Sequence, residues 1–181
     1  METTIGQFSN VQLLQWKNQP KPRKNRPLAL DLFSGTKSVA RALESMGYDV
    51  VTLDKEMKWQ PDICVDVFQW DFHLLRPGQF QVIFASPPCT EYIQALTTRP
   101  RDLKAADSLV WHTLKIIRYF SLDKWFLENP RGGKLPKRMG DKEYPWLEVD
   151  YCQFCDWGYQ KPTRIWGTVR GMDSSNSEEQ W

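Results

Sequence analysis

Five short apolar runs, each closed by polar or turn-forming residues, constrain the fold of this chain more than any other feature. They occupy residues 28–32, 50–53, 63–65, 81–85 and 125–127. Apolar runs of this length are typical of strands buried on both faces of a sheet. Apolar residues recur at helical spacing after the first run and again before the last. Because strands alternate with helices, we expect an α/β domain with a doubly wound, mostly parallel twisted sheet.

The last third of the chain follows a different pattern. Residues 131–142 are basic and contain glycine, which predicts a loop. Residues 146–154 and 163–168 predict two further strands, and the polar stretch at 156–161 suits an antiparallel turn between them. The predicted sheet is therefore completed by an antiparallel closing strand.

The length of 181 residues corresponds to a single domain. Residues 1–27 are rich in proline and cations near their end and predict an extended arm, while the serine-rich residues 171–181 predict a frayed tail. We expect residues 28–170 to form one folded domain. The formal net charge of +2 is too small to argue for nucleic-acid binding by itself. Without a membrane-length apolar segment or a signal pattern, we expect an intracellular protein with no membrane partner.

The unusual residues of the chain fall just beyond the predicted strands, where ligands bind in open α/β sheets. Phe33-Ser34-Gly35 forms a glycine turn that lets the backbone approach a ligand and opens a helix with free amides. Asp54 follows the second strand, where a carboxylate can accept both hydroxyls of a ribose, and Asp66 follows the third. This pattern predicts a nucleoside-type cofactor. The alternative is an ordinary strand-to-helix turn beside two solvated acids.

The fourth strand ends in Ser86-Pro87-Pro88-Cys89. Two consecutive prolines hold the chain in a rigid extended turn, which places the next side chain in a defined position above the sheet. That side chain is a thiol, and a thiolate is a strong nucleophile when nearby positive charge lowers its pKa. The alternative is a buried structural cysteine, which is the usual environment of a free cysteine.

The fifth strand ends in Glu128-Asn129-Pro130, beside the predicted position of Cys89. A partly desolvated glutamate can carry or share a proton with a bound substrate. The alternative is a strand-end acid in an Asx-type turn with the following proline. The favoured interpretation is a thiol and a carboxyl group that act on one substrate.

Taken in order, these motifs resemble the cytosine-5 DNA methyltransferase family, and most closely its short phage-type and virus-type members. The set runs Asp-Leu-Phe-Ser-Gly, Asp54, Asp66, Ser-Pro-Pro-Cys, Glu-Asn-Pro and, at residues 163–166, Thr-Arg-Ile-Trp. The similarity covers residues 28–167. It implies the Rossmann-like fold of S-adenosylmethionine-dependent methyltransferases. The implied reaction moves a methyl group from S-adenosylmethionine to carbon 5 of cytosine in DNA through a covalent cysteine adduct.

The resemblance also assigns roles to residues. Cys89 would attack carbon 6 of the base, Glu128 would hydrogen-bond the ring nitrogen and exocyclic amine, and Arg164 would help to hold the base. Pro88 and Asn129 belong to the same catalytic motifs. Phe33 would stack near the adenine, Asp54 would bind the ribose and Asp66 the adenine amino group. The implied cofactor site further includes Asp31, Ser34, Gly35, Thr36, Ser38, Lys55, Val67, Ser86 and Pro87.

The chain departs from the larger family members in several places. Lys37 stands where they have a glycine, and we find neither a target-recognition domain nor the usual C-terminal helix beside the cofactor, which the N-terminal arm would have to replace. Contacts to DNA phosphates would then come from cations of two loops, namely Arg99, Arg101, Arg131, Lys134, Lys137 and Arg138. The alternative is that these loops are simply solvated. We expect relaxed sequence preference, or a partner subunit that supplies recognition.

Two other functions stay open at this point. An amino-group methyltransferase acting on adenine or cytosine would carry an aromatic residue in place of Cys89, and Tyr92 comes too late in the chain. A catalytically silent binding protein would not need Cys89, Glu128 and Arg164 together. The pair formed by Cys152 and Cys155 lacks the further ligands of a zinc site, so we expect no metal, and a redox pair is less favoured still.

Overall fold

A computed structural model describes residues 26–120, 124–140, 143–153 and 160–168. The strands are β1 (Leu28–Leu32), β2 (Asp49–Asp54), β3 (Ile63–Cys64), β4 (Val82–Ala85), β5 (Trp125–Pro130), β6 (Trp146–Asp150) and β7 (Pro162–Gly167). The helices are α1 (Ser38–Ser45), α2 (Leu103–Phe120) and α3 (Leu135–Met139). All five strands predicted from apolar runs are present.

The seven strands form one sheet in the order β3-β2-β1-β4-β5-β7-β6. The first five strands of that order are parallel neighbours, whereas β7 runs antiparallel to both β5 and β6. The expectation of a mostly parallel α/β sheet with an antiparallel closing strand is confirmed. The reversed strand is not an edge strand, because β6 pairs along its outer side.

The central strands of the sheet are buried on both faces, which explains why they could be predicted from apolar runs in the sequence. Every residue of β1 is buried, because strands lie on both sides of it and the layer of helices covers the faces. Helix α2 contributes one buried stripe at helical spacing to the same core, which includes Val110, Leu114 and Ile117.

Two local predictions are wrong. The segment predicted as a loop at residues 131–142 contains α3, whose residues Leu135, Pro136 and Met139 are buried. Pro136 lies in the first turn of the helix, where its missing N–H costs nothing. Five residues are too few to show a helical repeat of apolar residues, so the sequence pattern did not predict this helix. The strand expected at 146–154 ends at Asp150, and a 3-10 turn follows at Tyr151–Gln153.

The arm at residues 1–27 lies outside the described residues except for its last two. Arg26 is not solvated as expected, since its guanidinium donates to the carbonyls of Gly47 (2.9 Å) and Tyr48 (2.7 Å) and pairs with Asp49 at 3.3 Å. This cation therefore fastens the start of β1 to the end of α1. The tail at residues 171–181 also lies outside the described residues.

Gly167 allows β5 and β7 to approach each other closely. A Cβ at this position would lie 2.1 Å from the carbonyl oxygen of Trp125, which is backbone and cannot rotate away. We expect Gly167→Ala to lower the free energy of unfolding by about 1–3 kcal/mol, as overpacking does. Urea denaturation measures this, with Gly132→Ala as the control, because a Cβ there meets nothing within 4 Å. Equal stability of the two variants would contradict the assigned close approach.

Candidate active site

The turn after β1 is built for close approach of a ligand. Phe33, Gly35 and Lys37 adopt positive φ angles of 61°, 45° and 61°. Lys37 thus provides the left-handed conformation in which the larger family members have glycine. The Ser34 N–H donates to the carbonyl of Leu53 at 3.1 Å. The Ser34 hydroxyl is buried and has no hydrogen-bond partner among the described residues, which leaves a polar atom available beside the turn.

Asp54, at the end of β2, joins this turn to the next loop. Its carboxylate accepts the N–H of Gly35 at 2.9 Å through Oδ2 and the N–H of Glu56 at 2.8 Å through Oδ1. A carboxylate has about four lone-pair sites, so capacity for further donors remains. The acid predicted to hold ribose hydroxyls therefore also organises the two loops between which a nucleoside would lie.

A pocket of about 620 Å³ opens at the carboxyl ends of the parallel strands. This is within the range of about 300–1,000 Å³ that is typical of small-molecule sites. The lining includes six residues predicted for the cofactor: Phe33, Asp54, Lys55, Asp66, Val67 and Ser86. The remaining predicted cofactor residues, Asp31, Ser34, Gly35, Thr36, Ser38 and Pro87, are not among those that line it.

Asp31 supports the pocket from beneath. Its side chain is buried, and Oδ2 accepts the N–H of Ala40 at 3.2 Å, which anchors the first turn of α1 to β1. Burial raises the pKa of Asp31 to about 7; the bond from Ala40 opposes this rise and the charge of Asp54 adds to it. The residue positions the turn without reaching the pocket surface.

Sequence reasoning missed two aromatic residues of the pocket. Trp59 and Phe68 both line it and remain partly exposed, at 37% and 51%. Because both rings line the same pocket, a ligand bound there meets two aromatic faces. Both follow strands β2 and β3 by a few residues, and only their position past those strand ends could have marked them.

The chain turns sharply at the nucleophile candidate. The carbonyl of Cys89 accepts the N–H groups of Tyr92 (2.8 Å) and Ile93 (3.0 Å). Its neighbours Pro88 and Thr90 line the pocket, whereas Cys89 itself is half-buried and does not. The thiol is thus next to the pocket, on a turn held by its own backbone.

The thiol of Cys89 and the carboxyl of Glu128 are close enough to interact. Burial raises the pKa of the Cys89 thiol, the Glu128 carboxylate raises it further, and Lys161 lowers it. Glu128 is buried at 9% exposure, and its Oε1 lies 3.6 Å from Lys161 Nζ. Asn129 holds the two strand ends together, because its Nδ2 donates to the carbonyl of Pro87 at 3.0 Å. The thiol and the acid therefore share one site.

Arg164 does not join this site. In the antiparallel register Arg164 is opposite Asn129, and Ile165 is opposite Glu128, so Arg164 and Glu128 lie on opposite faces of the sheet. The guanidinium of Arg164 lies 3.8 Å from the centre of the Trp146 ring and donates to Glu148 at 2.9 Å. Its predicted role in holding the base stays a prediction that this arrangement does not support.

The chain is 36% identical over 157 residues to a protein of Frog virus 3 named probable DNA (cytosine-5)-methyltransferase, a match that covers 79% of this chain and 71% of that protein. The chain belongs to the cytosine-5 DNA methyltransferase family. Its cofactor is S-adenosylmethionine. No family model matches the chain.

The fold is similar to that of the Entamoeba histolytica methyltransferase structure, with a TM-score of 0.56 and 15% identity. That match covers 83% of this chain but only 55% of the other, so the chain spans about half the length of that structure.

The pocket of this family member has the chemistry that the cofactor requires. Aromatic faces at Phe33, Trp59 and Phe68 suit the flat adenine, and the carboxylates of Asp54 and Asp66 suit ribose hydroxyls and an amino group. The same acids also attract a positively charged sulfonium. The residues present therefore fit S-adenosylmethionine.

Four of the six cations predicted to contact DNA are already engaged within this methyltransferase. Arg99 pairs with Glu91, Arg131 pairs with Glu148 at 3.1 Å, and Arg138 forms a two-pronged pair with Asp107. Arg101 donates to four backbone carbonyls between residues 91 and 96. Lys134 and Lys137 are exposed, and neither forms an ion pair within the part of the chain that the structure describes.

Tyr92 anchors the turn that follows Cys89. Its ring is fully buried, and its hydroxyl donates to Asp107 Oδ1 at 3.0 Å. Burial raises the pKa of Tyr92, and the bond to Asp107 raises it further, so the phenol stays protonated. Because Asp107 also pairs with Arg138, the turn is tied to both α2 and α3.

The remaining cysteines form no metal site within the described residues. Cys64 and Cys152 are not in disulfide bonds, Cys155 lies outside the described residues, and no group of three or more metal-ligating side chains is found among those described. None of the helices in the described ranges is both long and apolar enough to cross a membrane.

The placement of Arg101 leads to a prediction about its role. We expect Arg101→Met to loosen residues 91–96 and to accelerate amide exchange at Tyr92 and Ile93 about tenfold or more, since several charge-assisted hydrogen bonds are lost. Hydrogen–deuterium exchange measures this, with Lys134→Met as the control at an exposed cation. Unchanged exchange in Arg101→Met, together with weaker DNA binding, would instead favour the original prediction of a phosphate contact.

Proposed function

We propose that this protein methylates carbon 5 of cytosine in DNA, with Cys89 as the covalent nucleophile and Glu128 as the group that activates the base. The observation that carries the proposal is the pairing of β4 with β5 and the hydrogen bond from Asn129 to Pro87, which bring the turn of Cys89 and the strand end of Glu128 together beside the pocket that fits the cofactor. An amino-group methyltransferase would need neither a thiol nor a carboxyl at that place.

The chemistry requires a covalent step because carbon 5 of cytosine is a weak nucleophile. The Cys89 thiolate forms a bond to carbon 6, which moves an electron pair toward carbon 5, while Glu128 hydrogen-bonds the ring nitrogen and the exocyclic amine. Bound S-adenosylmethionine supplies the methyl group. A solvent water molecule then takes the proton from carbon 5, the freed electron pair forms the double bond between carbons 5 and 6, the bond between sulfur and carbon 6 breaks, and the thiolate is released.

The surroundings of Cys89 suit such a reversible nucleophile. In the free protein, burial and Glu128 keep the thiol largely protonated, so it is protected from unwanted oxidation. The target base must leave the duplex stack to reach a half-buried thiol. Exposed Lys134 and Lys137 can contact the phosphate backbone, which gives affinity without sequence information. We therefore propose relaxed sequence preference for the bound DNA.

A trapping experiment tests the covalent mechanism. We expect wild-type protein with S-adenosylmethionine to form an irreversible complex with DNA containing 5-fluorocytosine, because fluorine cannot leave carbon 5 as a proton does. Cys89→Ser abolishes the complex and turnover, and Glu128→Gln reduces both by at least about 100-fold, the lower range for a lost general acid or base.

The control is Cys64→Ser, which removes a thiol that donates a hydrogen bond to the Lys55 carbonyl and lies on β3, away from Glu128 on β5. Mass spectrometry of the complex identifies the linked residue. Methylation of unmodified DNA without any trapped complex, or with full activity in Cys89→Ser, would refute the mechanism and favour an amino-group methyltransferase. A matched RNA oligonucleotide shows whether DNA is the preferred polymer.

A second experiment tests the assigned cofactor contacts. We expect Asp54→Ala to weaken binding of S-adenosylmethionine by about 1–3 kcal/mol, because hydrogen bonds from the ribose hydroxyls to a charged acceptor are lost. Isothermal titration calorimetry measures this, with Asp71→Asn as the control at a surface acid that lies outside the pocket. Equal affinities of both variants would remove Asp54 from the site.

A further inference from the structure

The site of Cys89 and Glu128 contains a cation that sequence reasoning did not assign. Lys161 precedes β7, and its Nζ lies 3.6 Å from Oε1 of Glu128. The same oxygen of Glu128 is buried and accepts no hydrogen bond within the described residues. Among the described residues, Lys161 thus forms an ion pair with Glu128 through the carboxylate oxygen that accepts no hydrogen bond there.

Lys161 is held in this position by its backbone. The following residue is Pro162, which restricts Lys161 to an extended conformation. The carbonyl of Lys161 accepts the hydroxyl of Thr163 at 3.0 Å, and the carbonyl of Pro162 accepts the N–H of Arg131 at 3.0 Å. The lysine therefore leaves a constrained stretch of chain rather than a mobile loop.

The alternation of side chains along β7 decides which cation lies on the same face of the sheet as Glu128. Lys161, Thr163 and Ile165 share the face of Glu128, while Arg164 lies on the other face against Trp146 and Glu148. Lys161 Nζ also lies 5.7 Å from the centre of the Tyr151 ring, a distance suitable for a cation–π contact that limits where the ammonium can go. The ammonium remains 43% exposed at its side chain, so a substrate can approach it.

We propose that Lys161 is a positioning residue of the active site, which orients the Glu128 carboxylate toward the base and stabilises the Cys89 thiolate by its charge. In this arrangement Arg164 fastens β6 to β7 and leaves the electrostatic role to Lys161. The proposal rests on the proposed function of Cys89 and Glu128, although the geometry of the three side chains does not depend on turnover.

The charged and titratable groups around the thiol have opposing effects. Glu128 from β5 raises the pKa of Cys89, Lys161 lowers it, and Tyr151 beside Glu128 stays protonated because burial raises its pKa to about 12. Removing the lysine leaves the negative charge of Glu128 uncompensated beside the thiol. The expected consequence is a smaller thiolate fraction at neutral pH.

The test follows the reactivity of Cys89 without any substrate. Iodoacetamide alkylation is measured against pH in wild type and in Lys161→Met, Lys161→Arg and Lys115→Met, with the peptide containing Cys89 quantified by mass spectrometry. We expect alkylation at pH 7.5 to be about three- to tenfold slower in Lys161→Met, since one pH unit in the profile is a tenfold change in thiolate. Lys161→Arg keeps the wild-type profile, and Lys115→Met, at an exposed lysine of α2, leaves it unchanged.

Activity provides a second readout. We expect kcat of Lys161→Met to fall at least about tenfold while KM for DNA changes less than about twofold, and Lys161→Arg to recover most of kcat. A profile of Lys161→Met that superimposes on wild type would overturn the proposal, as would a loss confined to KM, which indicates a phosphate contact. These outcomes are distinguishable from failure of the proposed function, which would appear as the absence of a trapped complex in wild-type protein.

Discussion

The hydrogen bond from Asn129 Nδ2 to the carbonyl of Pro87 holds together the two strand ends that carry the proposed catalytic residues. It joins the end of β5 to the double-proline turn after β4, and it is buried, so no water competes for it. The side-chain amide of Asn129 donates and the carbonyl of Pro87 accepts, so a buried backbone oxygen of the turn is satisfied. This hydrogen bond keeps the strand end that carries Glu128 next to the turn that carries Cys89.

The residues at the carboxyl ends of the parallel strands could be predicted from the sequence for physical reasons. Apolar runs closed by polar residues mark strands buried on both faces, and the carboxyl ends of parallel neighbours necessarily meet. The proximity of Cys89 and Glu128 therefore follows from the two apolar runs that precede them, because these runs form the neighbouring parallel strands β4 and β5. The pocket beside Asp54 and Asp66 follows in the same way. The short helix α3 does not, because its burial depends on tertiary neighbours and not on any repeating pattern.

The sequence did not predict which cations form ion pairs or hydrogen bonds within the fold. A cation in a loop reads as a phosphate contact, but whether it is available depends on which carbonyls and carboxylates lie within reach after folding. Arg101 and Arg138 stabilise loops instead. Arg101 donates to backbone carbonyls, and Arg138 pairs with Asp107, which is distant in the sequence. The face of a strand on which a side chain falls is equally hidden, since a shift of one residue reverses it. Arg164, which was predicted to help hold the base, therefore lies on the other face, whereas Lys161, to which the sequence assigned no role, lies beside Glu128.

The consequence is a separation of tasks between two kinds of cation. Arginines, with planar guanidinium groups that satisfy several acceptors at once, hold the loops around Cys89 in place. Lysines, with a compact charge on a flexible stem, remain exposed or partly exposed: Lys134 and Lys137 on the surface and Lys161 beside the carboxylate of Glu128. Under the proposed function, such a domain keeps its site rigid while its lysine contacts to the phosphate backbone stay adjustable, which is consistent with the proposed relaxed sequence preference.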